Sequence, residues 1–127
     1  MAIRTELNLR LPNSAGALAA VCHLLSEERV NIVALVLEAG GHLRVVVDNH
    51  VHAAAILREH HHQVTEREVI VTMVGNAPGG LAPALRLASD AGVNVEYAYG
   101  GAAEGAAMAA VVLGVDDAAR GAAAAGL

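Results

Sequence analysis

Between residues 3 and 11 apolar side chains alternate with polar ones, at Ile3, Leu7, Leu9 and Leu11, which is the period of a half-buried β-strand. Pro12-Asn13 then marks a turn. From Ser14 onward Leu18, Val21, Leu24 and Leu25 recur at helical spacing, and Ser14 is placed to cap the first helical turn. Residues 30–37 and 43–47 are β-branched or leucine-rich runs on either side of Gly40-Gly41, the pattern of a hairpin. Helical spacing returns over residues 51–61. Residues 63–74 are extended and long for one strand; Thr65-Glu66-Arg67-Glu68 is where one strand is expected to hand over to the next.

The order then repeats, with a helix over residues 80–91, a strand over 93–99, a Gly/Ala turn over 100–105, a strand over 108–115 and a helix from Asp116 or Asp117. Pro83 has no N–H to give, so it fits only the first turn of its helix, which places the start near Gly80. The pattern β-α-β-β-α-β followed by β-α-β-β-α predicts an α+β fold of two ferredoxin-like repeats, each an antiparallel sheet with helices on one face, the second repeat lacking its last strand. The first strand of the second repeat is then expected at a bare edge, open to pairing with another chain.

The two halves also match residue by residue. Asn13-Ser14-Ala15-Gly16-Ala17-Leu18 and Asn76-Ala77-Pro78-Gly79-Gly80-Leu81 share an Asn-x-x-Gly-x-Leu turn, and Val30-Asn31-Ile32 and Val93-Asn94-Val95 follow at the same distance. Residues 13 and 76, 31 and 94, and the matched pairs Leu24/Leu87 and Ser26/Ser89 are all 63 apart, so the relation is a gapless duplication. The repeats are expected to divide as residues 1–65 and 66–127.

The doubled turn, the Val-Asn-Ile/Val strand start, the Arg44-Val45-Val46-Val47-Asp48 strand end and the segment Val93-Asn94-Val95-Glu96-Tyr97-Ala98-Tyr99 resemble the tandem ACT-domain proteins over nearly the whole chain. That resemblance implies a ligand-sensing module for an amino acid or similar small molecule, bound where two such domains meet, with no catalysis and no cofactor of its own. It directs attention to Asn13, Ser14, Gly16, Ala17, Leu18, Asn31 and Ile32 in the first repeat. Asn76, Ala77, Gly79, Gly80, Leu81, Asn94 and Val95 are the counterparts in the second. The chemistry of the turn suits the role: glycine lets backbone approach a ligand, and a helix beginning just after it aims unpaired N–H groups and partial positive charge at a carboxylate. Asn13 and Asn76 are placed to orient that carboxylate, with Asn31 and Asn94 facing the ligand's amino or carbonyl side. The same sequence also suits an ordinary strand-to-helix turn, and it is the recurrence in two copies that favours a ligand loop. The first copy departs further from the family pattern. Ala15 stands where the family favours proline, and Arg29 stands where Gly92 ends the second-copy helix, at a cost of about 1–2 kcal/mol if Arg29 adopts a left-handed conformation.

Composition narrows the alternatives. Much of the 55% hydrophobic fraction of this 127-residue chain is alanine, with no Phe or Trp and two Tyr, so each half has a small core. A homodimer is expected, since the small core and the bare edge both call for cover. A net charge of −5 and scattered arginines argue against nucleic acid. All eight basic residues are arginine, which excludes a Schiff-base lysine and a Walker phosphate loop. The single Cys22 forms no intrachain disulfide, and with no apolar signal core and no run long enough to span a bilayer the expected location is cytoplasmic.

His50-x-His52 and His60-His61-His62 bracket the second helix but lack metalloprotease spacing, and three consecutive histidines cannot share one helix face, so a solvated helix end is favoured over a metal site. Ser14, Ser26 and Ser89 lie in no nucleophile elbow, and Cys22 falls near the buried side of a helix. Tyr97 and Tyr99 are expected on one strand face, with Glu96 and Ala98 on the other. The expected function is regulation of another protein, such as an enzyme, through an amino-acid effector. The alternatives are a regulatory subunit of a biosynthetic enzyme such as acetolactate synthase, or a histidine-dependent metal protein. The repeated turn in the second half speaks against the acetolactate synthase subunit.

Overall fold

The computed structural model describes residues 1–125. In chain order these form β1 (Ala2–Arg10), α1 (Ala17–Glu27), β2 (Ile32–Leu37), β3 (His42–Val47), α2 (His50–Glu59), β4 (Thr65–Gly75), α3 (Ala82–Asp90), β5 (Val95–Gly101), β6 (Met108–Val115) and α4 (Ala118–Ala124). The fold is α+β. Contacts divide it into two compact units, one of Thr5–Arg67 and one of Met1–Arg4 with the chain from Glu68 onward.

In the Thr5–Arg67 unit the strands run in the order β2-β3-β1-β4. Antiparallel pairing sets Leu7 opposite Val45 and Leu9 opposite Leu43, so the alternation read in β1 becomes one apolar sheet face. Helices α1 and α2 lie on that face: Val21 and Leu25, then Ala53, Ile56 and Leu57, close over Leu7, Leu9, Leu43 and Val45. Each fully buried Leu or Ile contributes about 1.5–3 kcal/mol, and this unit contains most of them. The opposite face of β1 is not simply solvated. Glu6 is 0% exposed there; its carboxylate accepts from Asn8 Nδ2 at 2.9 Å and lies 3.8 Å from Arg44 Nη1.

In the other unit the order is β1-β4-β6-β5, with Ala2–Arg4 supplying the β1 portion. Ile70 faces Leu113, and these two join Val111, Val115, Ala88, Val93 and Ala118 in a core built of smaller side chains. A Cβ on Gly121 of α4 would stand 2.7 Å from Ile70 Cδ1, so glycine is what lets that helix sit close to the sheet.

Several expectations need correction. First, β4 is not a bare edge: it lies between β1 and β6, and the ends of the strand order are β2 and β5. Among the described residues no strand follows α4, and β1 takes the place beside β4. The handover expected at residues 65–68 falls within one continuous strand: β4 runs eleven residues, with Thr65–Arg67 belonging to one unit and the rest to the other. Second, Ser14 does not cap α1. Gly16 takes the N-cap position at φ 84°, so helical geometry starts only at Ala17 and no side chain caps it. The third helix likewise begins at Ala82 rather than Gly80, with Pro83 in its first turn as its missing N–H requires.

Candidate functional site

The first Asn-x-x-Gly-x-Leu turn is shaped by a short series of backbone bonds. Ser14 N donates to Pro12 O at 2.9 Å, Ala17 N to Ser14 O at 3.3 Å, and Ala20 N to Gly16 O at 2.9 Å. Gly16 supplies the left-handed step, and the space where its Cβ would stand is open to 4 Å. Facing the turn is the β2–β3 hairpin, tied to the end of β1 by Leu11 N to Gly41 O at 2.7 Å and by Arg10 Nη1 to Gly40 O at 2.8 Å. Turn and hairpin enclose a cleft of about 320 Å³ lined by Leu11, Pro12, Asn13, Ser14, Gly16, Ala17, Leu18, Ala19, Leu37, Glu38, Ala39 and Gly41. That volume is at the lower end of the range for small-molecule sites, roughly 300–1,000 Å³.

Glu38 at the hairpin turns its carboxylate to the helix-free face of the sheet. His42 Nδ1 lies 3.5 Å from Oε2, and Arg44 Nε lies 3.6 Å from Oε1. Asn8 Oδ1 in turn accepts from Arg44 Nη1 at 3.2 Å and meets His42 Nε2 at 2.8 Å. A chain of polar contacts thus runs along the helix-free face of the sheet from buried Glu6 through Asn8 to the β2–β3 hairpin. Spacing along the sequence could not reveal it, because it joins β1, β3 and the hairpin.

The second turn repeats the backbone step, with Gly79 at φ 78°, but not the surroundings. Asn76 N donates to Ala107 O at 3.0 Å, and Asn76 Nδ2 to Ala106 O at 2.8 Å. Its amide therefore fastens the β5–β6 loop. A Cβ on Gly80 would stand 1.9 Å from Gly75 O, so that glycine serves close packing of the turn on itself. Ala77 is exposed, and Leu81 is half-buried against the core of its unit.

The Val-Asn segments do not join the turns within the chain. Asn31 exchanges two hydrogen bonds with Asp48, N to Oδ1 at 3.0 Å and Asp48 N to O at 3.0 Å; Asn94 does the same with Asp116 at 3.0 and 3.2 Å. These reciprocal pairs fasten the start of β2 to the end of β3 and the start of β5 to the end of β6. Asn31 precedes Leu37 by six residues of extended chain, a separation of roughly 20 Å. Around the two pairs lie equivalent surface clefts, one lined by Cys22, Ser26, Arg29, Val30, Asn31 and Ile32, the other by Leu85, Ala88, Ser89, Gly92, Val93, Asn94 and Val95. Both helices before them end alike: Arg29 N bonds Ser26 O and Val30 N bonds Leu25 O, as Gly92 and Val93 bond Ser89 and Ala88. Arg29 does take the left-handed conformation, at φ 57°.

Tyr97 and Tyr99 stack with ring centroids 6.4 Å apart, and the Tyr97 ring lies over Gly114, where a Cβ would meet it at 2.1–2.4 Å. A β-bulge between Val95 and Tyr97 turns these rings away from the helix-covered face that Val95 shares with Val115. Among the described residues no group of three His, Cys, Asp or Glu is arranged to hold a metal ion, and no helix is long and apolar enough to cross a membrane. Cys22 is half-buried.

Comparison with curated protein sequences finds no match. Among solved structures, protein BT0572 from Bacteroides thetaiotaomicron is similar at 29% identity and TM-score 0.86, covering 96% of this chain and 85% of that one. The ligand-free regulatory subunit of aspartate kinase from Thermus thermophilus shares the fold at 16% identity and TM-score 0.66, covering 97% and 91%. Escherichia coli aspartokinase III in complex with lysine and aspartate shares it at 15% identity and TM-score 0.57, over 90% of this chain and 29% of that one. The family model of the ACT domain pair matches residues 1–122. The chain belongs to the ACT domain pair family, a family of regulatory modules.

Proposed function

We propose that the two ACT-like repeats, residues 1–65 and 66–127, form a non-catalytic sensor that binds an amino acid and regulates an amino-acid biosynthetic enzyme. The observation that carries this reading is the cleft between the first turn and the β2–β3 hairpin, in a chain of a regulatory family. Its chemistry suits an amino acid: Asn13 and Ser14 line it beside the start of α1, where unpaired N–H groups suit a carboxylate, and Leu11, Leu18 and Leu37 add apolar lining. Regulation then follows by linkage, because a ligand that binds one arrangement of the protein more tightly shifts the population towards it.

A homodimer fits this reading. Edge strand β2 exposes Val33, Leu35 and Leu37 at 43%, 37% and 40%, an apolar row that a second copy would cover. Antiparallel pairing of two β2 edges reverses one strand against the other, which would bring Asn31 of one copy towards the Leu37 end of the next and so complete the cleft at an interface between subunits. The kinship of fold with regulatory subunits of aspartate kinase supports an enzyme as the regulated partner.

A thermal-shift series with each of the twenty protein amino acids tests the proposal. A ligand that binds only the folded state must raise its melting temperature with concentration. A selective, saturable rise with one amino acid or a few related ones is expected. No rise with any of them would leave a purely structural module.

A further inference from the structure

We infer that Asn8 and His42 are positioning residues for the first cleft: from the helix-free face of the sheet they latch the β2–β3 hairpin to β1, and a proton on His42 closes the latch. The inference rests on the sensor reading above only for what the cleft binds; the latch itself stands on contacts within the Thr5–Arg67 unit.

The hairpin supplies Leu37, Glu38, Ala39 and Gly41 to the lining of the cleft, so the place of the hairpin decides how wide the cleft stands. Asn8 and His42 are not among the lining residues. They act from the other face of the sheet. Asn8 Nδ2 donates to Glu6 Oε1 at 2.9 Å, while Asn8 Oδ1 lies 3.2 Å from Arg44 Nη1 and 2.8 Å from His42 Nε2. His42 carries the chain on to the hairpin, with Nδ1 3.5 Å from Glu38 Oε2.

These contacts fix where the protons are. Glu6 and Arg44 orient the Asn8 amide, because its nitrogen must meet the carboxylate and its oxygen the guanidinium. His42 Nε2 faces that same oxygen and must donate, which puts the single proton of a neutral imidazole on Nε2. Nδ1 would then turn a bare lone pair towards a carboxylate, so the contact with Glu38 needs the second proton. The charged groups that share this face with His42 are Glu38 on the hairpin, Arg44 on its own strand, and Glu6 and Arg10 on β1. Arg44 Nε lies 3.6 Å from Glu38 Oε1, and Arg10 Nη1 bonds Gly40 O at 2.8 Å, two ties that do not depend on His42. Loss of the His42 proton therefore loosens the latch without opening it.

The second repeat shows that the sheet forms without such a network. Across β1 and β3, Asn8 pairs with Arg44 and Arg10 with His42; at the matching register of β4 and β6, Val71 pairs with Val112 and Met73 with Ala110. Polar groups on a sheet face carry a desolvation cost that valine and alanine avoid, so their presence in one repeat points to a task other than pairing strands.

The test is amide hydrogen exchange, followed by NMR on the purified full chain and its His42→Gln variant across about pH 5–8, the range in which an imidazole changes charge. Isothermal titration of both proteins with each of the twenty protein amino acids runs over the same range. Leu11 N bonds Gly41 O and Gly41 N bonds Glu38 O, so protection of these two amides reports the latch; Val30 N, bonded to Leu25 O at the end of α1, is the control. In wild type the protection of Leu11 and Gly41 should fall about two- to fivefold as pH rises, with Val30 unchanged, and affinity for the amino acid that binds should fall by a similar factor. The glutamine of His42→Gln does not titrate, so that variant should stay at the high-pH level throughout. No pH step in wild-type Leu11 and Gly41, or the same step in His42→Gln, would overturn the latch. A step in protection with none in affinity would overturn its hold on the cleft. Absence of binding by all twenty would overturn the sensor reading, and the exchange data alone would then decide the latch.

Discussion

Gly41 closes the hairpin wall of the cleft, and replacing it by alanine isolates the geometry on which that wall depends. The residue sits at φ 88°, and a Cβ there would stand 2.3 Å from Leu11 O, a backbone atom that cannot swing aside as a side chain would. The left-handed conformation costs an alanine about 1–2 kcal/mol. Relief of the collision must pull the hairpin from β1 and weaken the 2.7 Å bond from Leu11 N to Gly41 O, worth about 0.5–1.5 kcal/mol net. Gly41→Ala is therefore expected to lose about 2–4 kcal/mol. With urea slopes of about 1–3 kcal/mol per molar, the denaturation midpoint should fall by roughly 1–2 M, followed by circular dichroism. The adjacent Gly40→Ala is the control: its Cβ would meet only Arg10 Nη1 at 3.8 Å, so its stability should stay within about 0.5 kcal/mol of wild type. Equal midpoints for Gly41→Ala and wild type, or equal losses in the two variants, would refute the reasoning.

Leu57 is 0% exposed among Leu7, Leu25 and the rest of the first core, so Leu57→Ala should cost about 2–5 kcal/mol, whereas Val51→Ala on the same helix, 69% exposed, should change little; equal urea midpoints would refute that packing. Arg29→Gly should raise stability by about 1 kcal/mol, because Arg29 at φ 57° ends α1 where Gly92 ends α3 at φ 70°; a fall in melting temperature would show that the arginine side chain outweighs its backbone strain.

Much of this was legible in the chain. Alternation at Leu7 and Leu9 and helical spacing at Val21 and Leu25 report burial directly, and both local patterns survive in the fold. The Arg29/Gly92 correspondence likewise located a left-handed residue, since both copies must end the same helix. What escaped was non-local. The β4 edge is covered by β1, the strand furthest from it in the first half, and no local pattern records which strand lies beside which. The only hint was length, nine residues in β1 and eleven in β4, more than one small sheet requires. Ser14 looked like a cap because it is the right residue type near a helix start, but Gly16 in the left-handed region moved the cap two residues on. The difference between Asn13 and Asn76 was invisible for a related reason: it depends on where a loop thirty residues away returns its carbonyls. Motif identity specified the turn, and tertiary contacts decided what surrounds each copy of it.

The central claim is that an amino acid occupies the cleft between the first turn and the β2–β3 hairpin. A crystal structure of the protein grown with the amino acid that raises its melting temperature most tests it directly. The account predicts ligand density against Asn13 and Ser14 at the first turn. Density at the second turn with the first cleft empty, or ligand bound at neither, would contradict it.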